Sequence, residues 1–204
     1  MRLGLPRSAP KWITEPVIRP LASLGVTPNM LTVLGVIGNG AAAYLASEGE
    51  FIWAGILVLL FSAMDMFDGA LARATGQATP FGAVFDATLD RVSEALVLFG
   101  LLVYFSDRGE QTETLLIFVA IVGSILVSYV RARGELIGLA MRDGMFTRFE
   151  RVAVIGIALI VAGVADDDVV LTWALWALAV LATFTAVQRL AMVWKQSKDL
   201  PSAK

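Results

Sequence analysis

Residues 65–90 read DMFDGALARATGQATPFGAVFDATLD and join two long apolar stretches, 51–73 and 82–105. This segment places acidic side chains inside otherwise apolar helices, two near the end of the first stretch and two near the start of the second. They are Asp65, Asp68, Asp86 and Asp90. An ionisable group at such a depth costs free energy unless it has a partner. The four carboxylates are therefore the first candidates for a functional site.

The spacing of the aspartates predicts that their side chains converge. At about 100° per residue, Asp65 and Asp68 lie within about 60° of each other on one helix face, and Asp86 and Asp90 are one turn apart on the next helix. The connection 74–81 is short, so the two helices are expected to be antiparallel neighbours. Four converging negative charges repel one another. Two hard cations held by shared carboxylates would offset that repulsion and could clamp phosphate oxygens. The alternative is that these are helix-end acids solvated at the membrane interface.

The rest of the chain has the composition of a membrane protein. Of its 204 residues, 57% are hydrophobic and 17% are charged, whereas a soluble domain has about 45–50% apolar and about 25% charged residues. A spanning helix needs about 20 apolar residues, and six stretches come near that length. They are 30–48, 51–73, 82–105, 114–139, 150–165 and 169–194. The predicted fold is an all-α integral membrane protein with six transmembrane helices in a single domain, residues 1–204.

An amphipathic helix is predicted in front of the first span. In residues 11–24, apolar side chains recur at spacings of three and four among charged ones. This pattern is typical of a helix that lies in the membrane interface, and a short soluble cap helix is the alternative. Thr27 and Pro28 then predict where the first span begins, as its N-cap and first helical residue.

The charges of the connecting segments predict the orientation. Six spans place both termini on one side, and the connections near residue 49, at 106–113 and at 166–168 on the other. Of the 16 basic residues, only Arg108 lies with those acid-rich connections. Because Lys and Arg are enriched in cytoplasmic segments, both termini and the four aspartates are predicted to face the cytoplasm. The protein is then a multi-pass protein of the inner (plasma) membrane.

The chain contains no cysteine and no histidine. Disulfides and thiolate chemistry are thereby excluded, and the commonest general base and transition-metal ligand is missing. A metal site must use oxygen ligands, which favour hard ions such as Mg2+, Mn2+ or Ca2+.

A transporter or channel is the main alternative class, since intramembrane acids also mark ion paths. An ion path would place its acids near the midplane on several helices, whereas these four crowd one side of two helices.

The aspartate segment resembles the full signature of the CDP-alcohol phosphotransferase family. The matching positions are Asp65, Asp68, Gly69, Ala72, Arg73, Gly82, Asp86 and Asp90. The resemblance implies six transmembrane helices, usually a homodimer, and an active site at the cytoplasmic membrane surface. It also implies transfer from CDP-diacylglycerol with release of CMP, and two Mg2+ or Mn2+ ions. No nucleic-acid partner is expected.

The same resemblance assigns roles to individual residues. The four aspartates would hold the metal ions, and Asp90 would also be the base that activates the acceptor hydroxyl. The stretch from Pro28 to Thr32 resembles the family's segment near the nucleotide, although a plain helix start is an equal alternative. The implied nucleotide-binding residues are Asn29, Thr32, Asp65, Asp68, Gly69, Arg73 and Gly82.

A second group of residues predicts an acceptor alcohol that carries its own phosphate. Arginines end the fourth stretch, begin the fifth and recur late in the sixth, and the planar guanidinium suits phosphate. Singly, each is better explained as an interfacial anchor. As a set they resemble the bacterial phosphatidylinositol phosphate synthases, whose acceptor is inositol 1-phosphate, although Arg131 stands where lysine is usual and Gly134 where alanine is common. The implied acceptor-phosphate residues are Ser128, Arg131, Arg133, Arg151 and Arg189.

Two points remain open from the sequence. Glycerol 3-phosphate, the acceptor in phosphatidylglycerol phosphate synthesis, also brings a phosphate and is the alternative substrate. Glu94 lies one turn after Asp90. It is expected to pair with Arg91 or another basic residue at a helix end rather than to bind metal.

Overall fold

The computed structural model describes residues 18–139, 141, 144 and 146–198. Within these residues the regular secondary structure is entirely helical, and each predicted apolar stretch corresponds to one long helix, with ends shifted by at most three residues. The helices are α1 (Pro28–Ser47), α2 (Phe51–Thr75), α3 (Pro80–Asp107), α4 (Gln111–Leu136), α5 (Arg148–Ala165) and α6 (Val169–Ser197).

Threonine caps set the starts of three helices. Thr27 and Thr79 each precede a proline, and each accepts a hydrogen bond from a backbone N–H group of the first turn. Thr147 forms a capping box with Glu150. Because a cap satisfies N–H groups that a helix start leaves unpaired, α3 and α5 begin two residues before their predicted starts. Arg148 thereby becomes the first residue of α5.

The predicted interfacial helix is described only in part. Residues 18–23 are helical and end in a turn, whereas residues 11–17 of the predicted helix 11–24 lie outside the described residues. Ile18 is buried against Leu31 of α1 and Leu71 of α2. The described part of this helix therefore packs at the same end of the bundle as Asp68.

The closely packed helix pairs form a ring. α1 packs against α2 and α3, α2 against α5, α5 against α6, α6 against α4, and α4 against α3. The prediction that α2 and α3 are direct neighbours is therefore wrong for the described residues, because both helices pack on α1 and have few contacts with each other. Gly100 of α3 permits this arrangement, since a Cβ there would lie 2.1 Å from the carbonyl oxygen of Ala43 in α1.

The acidic connections meet at one end of the bundle, as the alternation of six helices predicts. A cavity of about 540 Å³ at this end is lined by residues of the connections after α1, α3 and α5, among them Glu50, Arg108 and Asp167. The Tyr104 hydroxyl donates a hydrogen bond to Asp168 at 3.1 Å. The main apolar core fills the adjoining half of the bundle with side chains from all the long helices described here. The four aspartates lie towards the opposite end.

The described residues include four helices that are long and apolar enough to cross a membrane, namely α1, α2, α4 and α6. The charged side chains of α3 and α5 lower the hydropathy of those two helices, and they include Asp86, Asp90 and Arg151. Many large apolar side chains point outward, for example Phe118 and Trp173. Such an extended apolar surface suits lipid rather than water. The chain is an all-helical membrane protein.

Candidate active site

A residue of α1 fixes the side chain of Asp68 by a hydrogen bond. Its side chain is 5% exposed, and one carboxylate oxygen accepts a hydrogen bond from the Thr32 hydroxyl at 3.0 Å. The other oxygen accepts the backbone N–H of Gly69. Charge-assisted hydrogen bonds of this kind are stronger than neutral ones, so the carboxylate has a defined orientation although it is buried.

Asp65 faces α1 at a position where α1 has no side chain. A Cβ on Gly35 would lie 3.1 Å from a carboxylate oxygen of Asp65. Because that separation is tighter than an ordinary contact, a larger residue at Gly35 would push the carboxylate away. Gly35 therefore lets α1 and α2 approach closely beside the acidic group.

Arg148 bridges the aspartates of α2 and α3. One guanidinium nitrogen lies 2.8 Å from Asp65 and the other lies 2.9 Å from Asp90. Arg91, beside Asp90 in sequence, is more distant, with 3.9 Å between its nitrogen and the carboxylate. The two carboxylates thus face each other across a single cation supplied by α5.

Asp86 completes a group of four carboxylates. Its negative charge acts on Asp65, Asp68 and Asp90. Asp86 therefore lies within electrostatic range of the other three predicted metal ligands. We name these four residues the aspartate group.

The aspartate group fits a hard divalent cation in the type of its donors, since it consists of carboxylate oxygens with the Thr32 hydroxyl nearby. The four carboxylates are not arranged around one common point, as the ligands of a bound metal ion would be. Among the described residues, no group of three or more acidic side chains is arranged to hold a metal ion. The guanidinium of Arg148 lies between Asp65 and Asp90.

Three contacts link predicted nucleotide-binding residues to one another or to the aspartate group. A Cβ on Gly82 would lie 3.8 Å from the side-chain oxygen of Asn29, so the starts of α1 and α3 adjoin each other. A Cβ on Gly69 would lie 3.4 Å from a guanidinium nitrogen of Arg73. Thr32 contacts Asp68 directly. Gly69 and Gly82, which have no side chain, thus lie beside the polar side chains of Arg73 and Asn29.

Arg151 is the best-anchored of the predicted acceptor residues. It is 2% exposed, and its guanidinium donates two hydrogen bonds to Glu94 of α3, at 2.6 and 2.9 Å. The Ser124 hydroxyl of α4 donates to the same carboxylate at 2.8 Å. The expectation that Glu94 pairs with a basic residue at a helix end is thus confirmed. The partner is Arg151, 57 residues away in sequence.

Arg189 and Arg131 extend the basic region. Arg189 is 4% exposed and donates one hydrogen bond to the Val127 carbonyl at 2.8 Å, while its Nε has no partner among the described residues. The positive charges of Arg131 and Arg151 both act on it. We name Arg131, Arg151 and Arg189 the arginine group. Arg131 and Arg151 each pair with a glutamate, Glu135 and Glu94 respectively.

The other two predicted acceptor residues are less closely associated with the arginine group. Arg133 is exposed, and its guanidinium lies over the Tyr129 ring at 5.8 Å. Ser128 is half-buried one turn beyond Ser124, the serine that contacts Glu94. Sequence reasoning did not single out Ser124, Gly35 or Arg148 for their observed contacts. The one indication of Arg148 in the sequence was its position among the basic residues that begin the fifth apolar stretch.

Comparison with known proteins agrees with this geometry. The family model for CDP-alcohol phosphatidyltransferase matches residues 25–197. The phosphatidylinositol phosphate synthase of Corynebacterium glutamicum is 41% identical over 189 residues, which cover 90% of this chain and 84% of that protein. The archaetidylinositol phosphate synthase of Pyrococcus horikoshii is 36% identical over 179 residues, covering 87% and 93% of the two chains.

Solved structures of similar sequence share the fold. The Mycobacterium tuberculosis phosphatidylinositol phosphate synthase with CDP-DAG bound has a TM-score of 0.83 and 36% identity, over 95% of this chain and 100% of that one. The same enzyme in complex with manganese and citrate has a TM-score of 0.84 and 34% identity, over 93% of each chain. Because the family model matches most of this chain, the chain belongs to the CDP-alcohol phosphatidyltransferase family and is a CDP-alcohol phosphotransferase.

Proposed function

We propose that this enzyme transfers the phosphatidyl group from CDP-diacylglycerol to inositol 1-phosphate and releases CMP, in a reaction that depends on a divalent metal. One observation carries the proposal. The aspartate group and the arginine group lie next to each other along α5. Arg148 contacts the aspartate group, and Arg151, one turn later, belongs to the arginine group. A diphosphate with its cations and the phosphate of the acceptor could therefore bind side by side.

The names of the relatives support the same substrates. Relatives called phosphatidylinositol phosphate synthase match most of this chain, and one solved relative carries CDP-DAG. Another carries manganese, which suits the all-oxygen donor set of the aspartate group. We propose that Asp65, Asp68, Asp86 and Asp90 hold two Mg2+ or Mn2+ ions. Such ions, when bound, neutralise the diphosphate and stabilise the leaving phosphate.

The residues of the chain then have separate tasks. Asp90 takes the proton from the acceptor hydroxyl, and the hydroxyl oxygen bonds to the phosphorus that carries diacylglycerol. The bond from that phosphorus to the bridging oxygen breaks, and CMP leaves with the electron pair. Positioning by surrounding side chains makes a carboxylate an adequate base for this step. The residues proposed to position the nucleotide diphosphate are Asn29, Thr32, Asp65, Asp68, Gly69, Arg73 and Gly82.

The arginine group selects the acceptor. A phosphate dianion approaching four carboxylates is repelled unless basic groups hold its far end, and Arg131, Arg151 and Arg189 come from three different helices. We include Ser128 and Arg133 in the proposed acceptor site from the family resemblance.

Release of CMP from CDP-diacylglycerol tests this assignment directly. The purified enzyme is assayed with inositol 1-phosphate, free inositol and glycerol 3-phosphate at matched concentrations. Inositol 1-phosphate is expected to be the best acceptor. Preference for free inositol would refute the acceptor site, and preference for glycerol 3-phosphate would keep the site but assign the enzyme to phosphatidylglycerol phosphate synthesis.

We also propose that all six long helices of the described residues span the membrane, with both termini and the aspartate group on the cytoplasmic side of the plasma membrane. The charge asymmetry of the connections supports this orientation. The polar faces of α3 and α5 would be shielded from lipid by the ring of neighbouring helices. The single domain over residues 1–204 and the homodimer remain predictions from the sequence pattern and the family resemblance.

Labelling of introduced cysteines is expected to show the C-terminal end of α6 in the cytoplasm. Because the chain has no native cysteine, Lys198→Cys and Asp107→Cys each provide one reactive thiol, at exposed positions on opposite ends of the bundle. A membrane-impermeant maleimide applied to intact spheroplasts should label Asp107→Cys and label Lys198→Cys only after lysis. The reverse pattern would invert the topology.

Arg189→Gln is expected to raise the KM for inositol 1-phosphate and to leave the KM for CDP-diacylglycerol nearly unchanged. Loss of a charge-assisted contact to phosphate costs about 1.5–3 kcal/mol, which corresponds to roughly a tenfold to hundredfold loss of acceptor affinity. Lys195→Gln, which removes an exposed charge from the same helix, is the matched control. Equal changes in both KM values would mean that Arg189 supports the fold and does not select the acceptor.

A further inference from the structure

Arg148 occupies an unusual place for a basic residue. It is the first residue of α5, where the capping box of Thr147 and Glu150 holds the backbone. From there its two terminal nitrogens reach carboxylates on two other helices, Asp65 at 2.8 Å and Asp90 at 2.9 Å. Its side chain is 24% exposed. A single guanidinium therefore connects α2, α3 and α5 through the aspartate group.

The contacts of Arg148 engage one oxygen of each of two predicted metal ligands, Asp65 and Asp90. A Mg2+ ion binds oxygens at about 2.0–2.1 Å, whereas the guanidinium stands at hydrogen-bond distance between the two carboxylates. The other oxygen of Asp65 faces Gly35 of α1, where no side chain projects. A divalent cation that bridged Asp65 and Asp90 would therefore compete with the guanidinium for these two carboxylates.

We infer that Arg148 is the internal counter-ion of the aspartate group, and that a divalent cation must displace it from Asp65, Asp90 or both in order to bind. The inference rests on the proposed metal-dependent function. Arg148 offsets the repulsion of the carboxylates when they hold no divalent cation, and it lowers their apparent affinity for metal. The residue is thus a regulator of metal binding and is distinct from the predicted ligands.

A displaced guanidinium has another acidic partner close by. The negative charge of Glu94 acts on Arg148, and Glu94, Arg148 and Arg151 line the same small cavity of about 10 Å³ together with polar Asn39 and Ser62. A cavity of this size holds about one water molecule. Because Glu94 already accepts hydrogen bonds from Arg151 and Ser124, a displaced Arg148 would share that carboxylate with them.

The inference predicts opposite changes in two measured quantities for Arg148→Gln. Removal of the competing cation should tighten Mn2+ binding by about tenfold to hundredfold, the equivalent of one or two charge-assisted contacts. The same substitution should lower the melting temperature in excess chelator, because the carboxylates lose their counter-ion. Saturating Mn2+ should restore most of that loss.

Mn2+ binding is measured in purified protein without substrate, by the electron paramagnetic resonance signal of free Mn2+ or by calorimetry. The variants are Arg148→Gln, Arg148→Lys and the control Arg131→Gln. Arg131 pairs with Glu135 at 2.9 Å, so its loss changes the net charge equally without freeing an aspartate. Arg148→Lys keeps the charge but cannot bridge two carboxylates with a planar fork, and its affinity should lie between those of wild type and Arg148→Gln.

The outcomes separate this inference from the proposed function. Tighter Mn2+ binding in Arg148→Gln than in Arg131→Gln supports displacement. Unchanged or weaker binding in both Arg148 variants, with wild-type binding intact, overturns the inference and leaves the proposed function standing. Absence of Mn2+ binding by the wild type, with and without CDP-diacylglycerol, refutes the metal-dependent function itself. If Arg148→Gln does not fold, Arg148→Lys against Arg131→Gln decides the question.

Discussion

Asp68→Asn is expected to abolish phosphatidyl transfer in correctly folded protein. Asparagine has nearly the shape of aspartate, and its amide oxygen can still accept the Thr32 hydroxyl that Asp68 accepts at 3.0 Å. It has no charge and only one acceptor oxygen, so it can neither balance a shared divalent cation nor bridge two of them. Loss of groups that merely support a metal ligand costs about 10–100-fold, and loss of a ligand itself should exceed that range. Asp65→Ala and Asp86→Ala should behave alike.

The measurement is CMP release over a range of Mg2+ and Mn2+ concentrations, with and without chelator. Asp107→Asn is the matched control, since it removes an exposed carboxylate from the same helix as Asp86 and Asp90, about 25 Å along the axis from Asp90. The control should keep wild-type activity. Full turnover of Asp68→Asn, or of the wild type in excess chelator, would contradict a metal site built on the aspartate group.

Asp90→Asn is expected to lower kcat by about 10² or more, the usual scale for loss of a general base, while binding of CDP-diacylglycerol stays largely intact. The amide of asparagine cannot take the proton of the acceptor hydroxyl. It can still accept one hydrogen bond from Arg148, whose nitrogen lies 2.9 Å from Asp90. The local structure should therefore survive while the chemical step fails.

Two measurements distinguish the roles of Asp90. CDP-diacylglycerol binding is measured at equilibrium without acceptor, and kcat is measured at saturating inositol 1-phosphate. Intact binding with a low kcat supports proton removal by Asp90. Lost nucleotide binding with a retained rate at saturation would assign Asp90 to metal binding alone.

Much of the architecture could be read from local sequence. Apolar stretches near 20 residues set the long helices, because a spanning helix must bury its backbone polar groups within itself. Thr27 with Pro28 predicted the start of α1, which is confirmed. The spacing of Asp65, Asp68, Asp86 and Asp90 predicted a common site, since helical periodicity alone places each pair on one face. Their roles as ligands and base stay predictions.

The route by which these carboxylates meet was not predictable from the short connection between α2 and α3. That connection favours direct packing, yet both helices pack on α1. The reason lies in close approaches between distant residues, such as Gly100 against the Ala43 carbonyl. Steric fit of this kind depends on which helix faces meet, and a single sequence carries little information about that choice.

The helices, their alternation across the bundle and the acidic and basic residues available for chemistry follow from local sequence, because each depends on composition and period within one segment. The partners of those charges depend on how the helices pack. Arg148 reaches Asp65 across 83 residues, and Arg151 rather than Arg91 takes Glu94. A buried charge is stable only beside an opposite one, and which opposite charge is nearest is settled by how the helices pack.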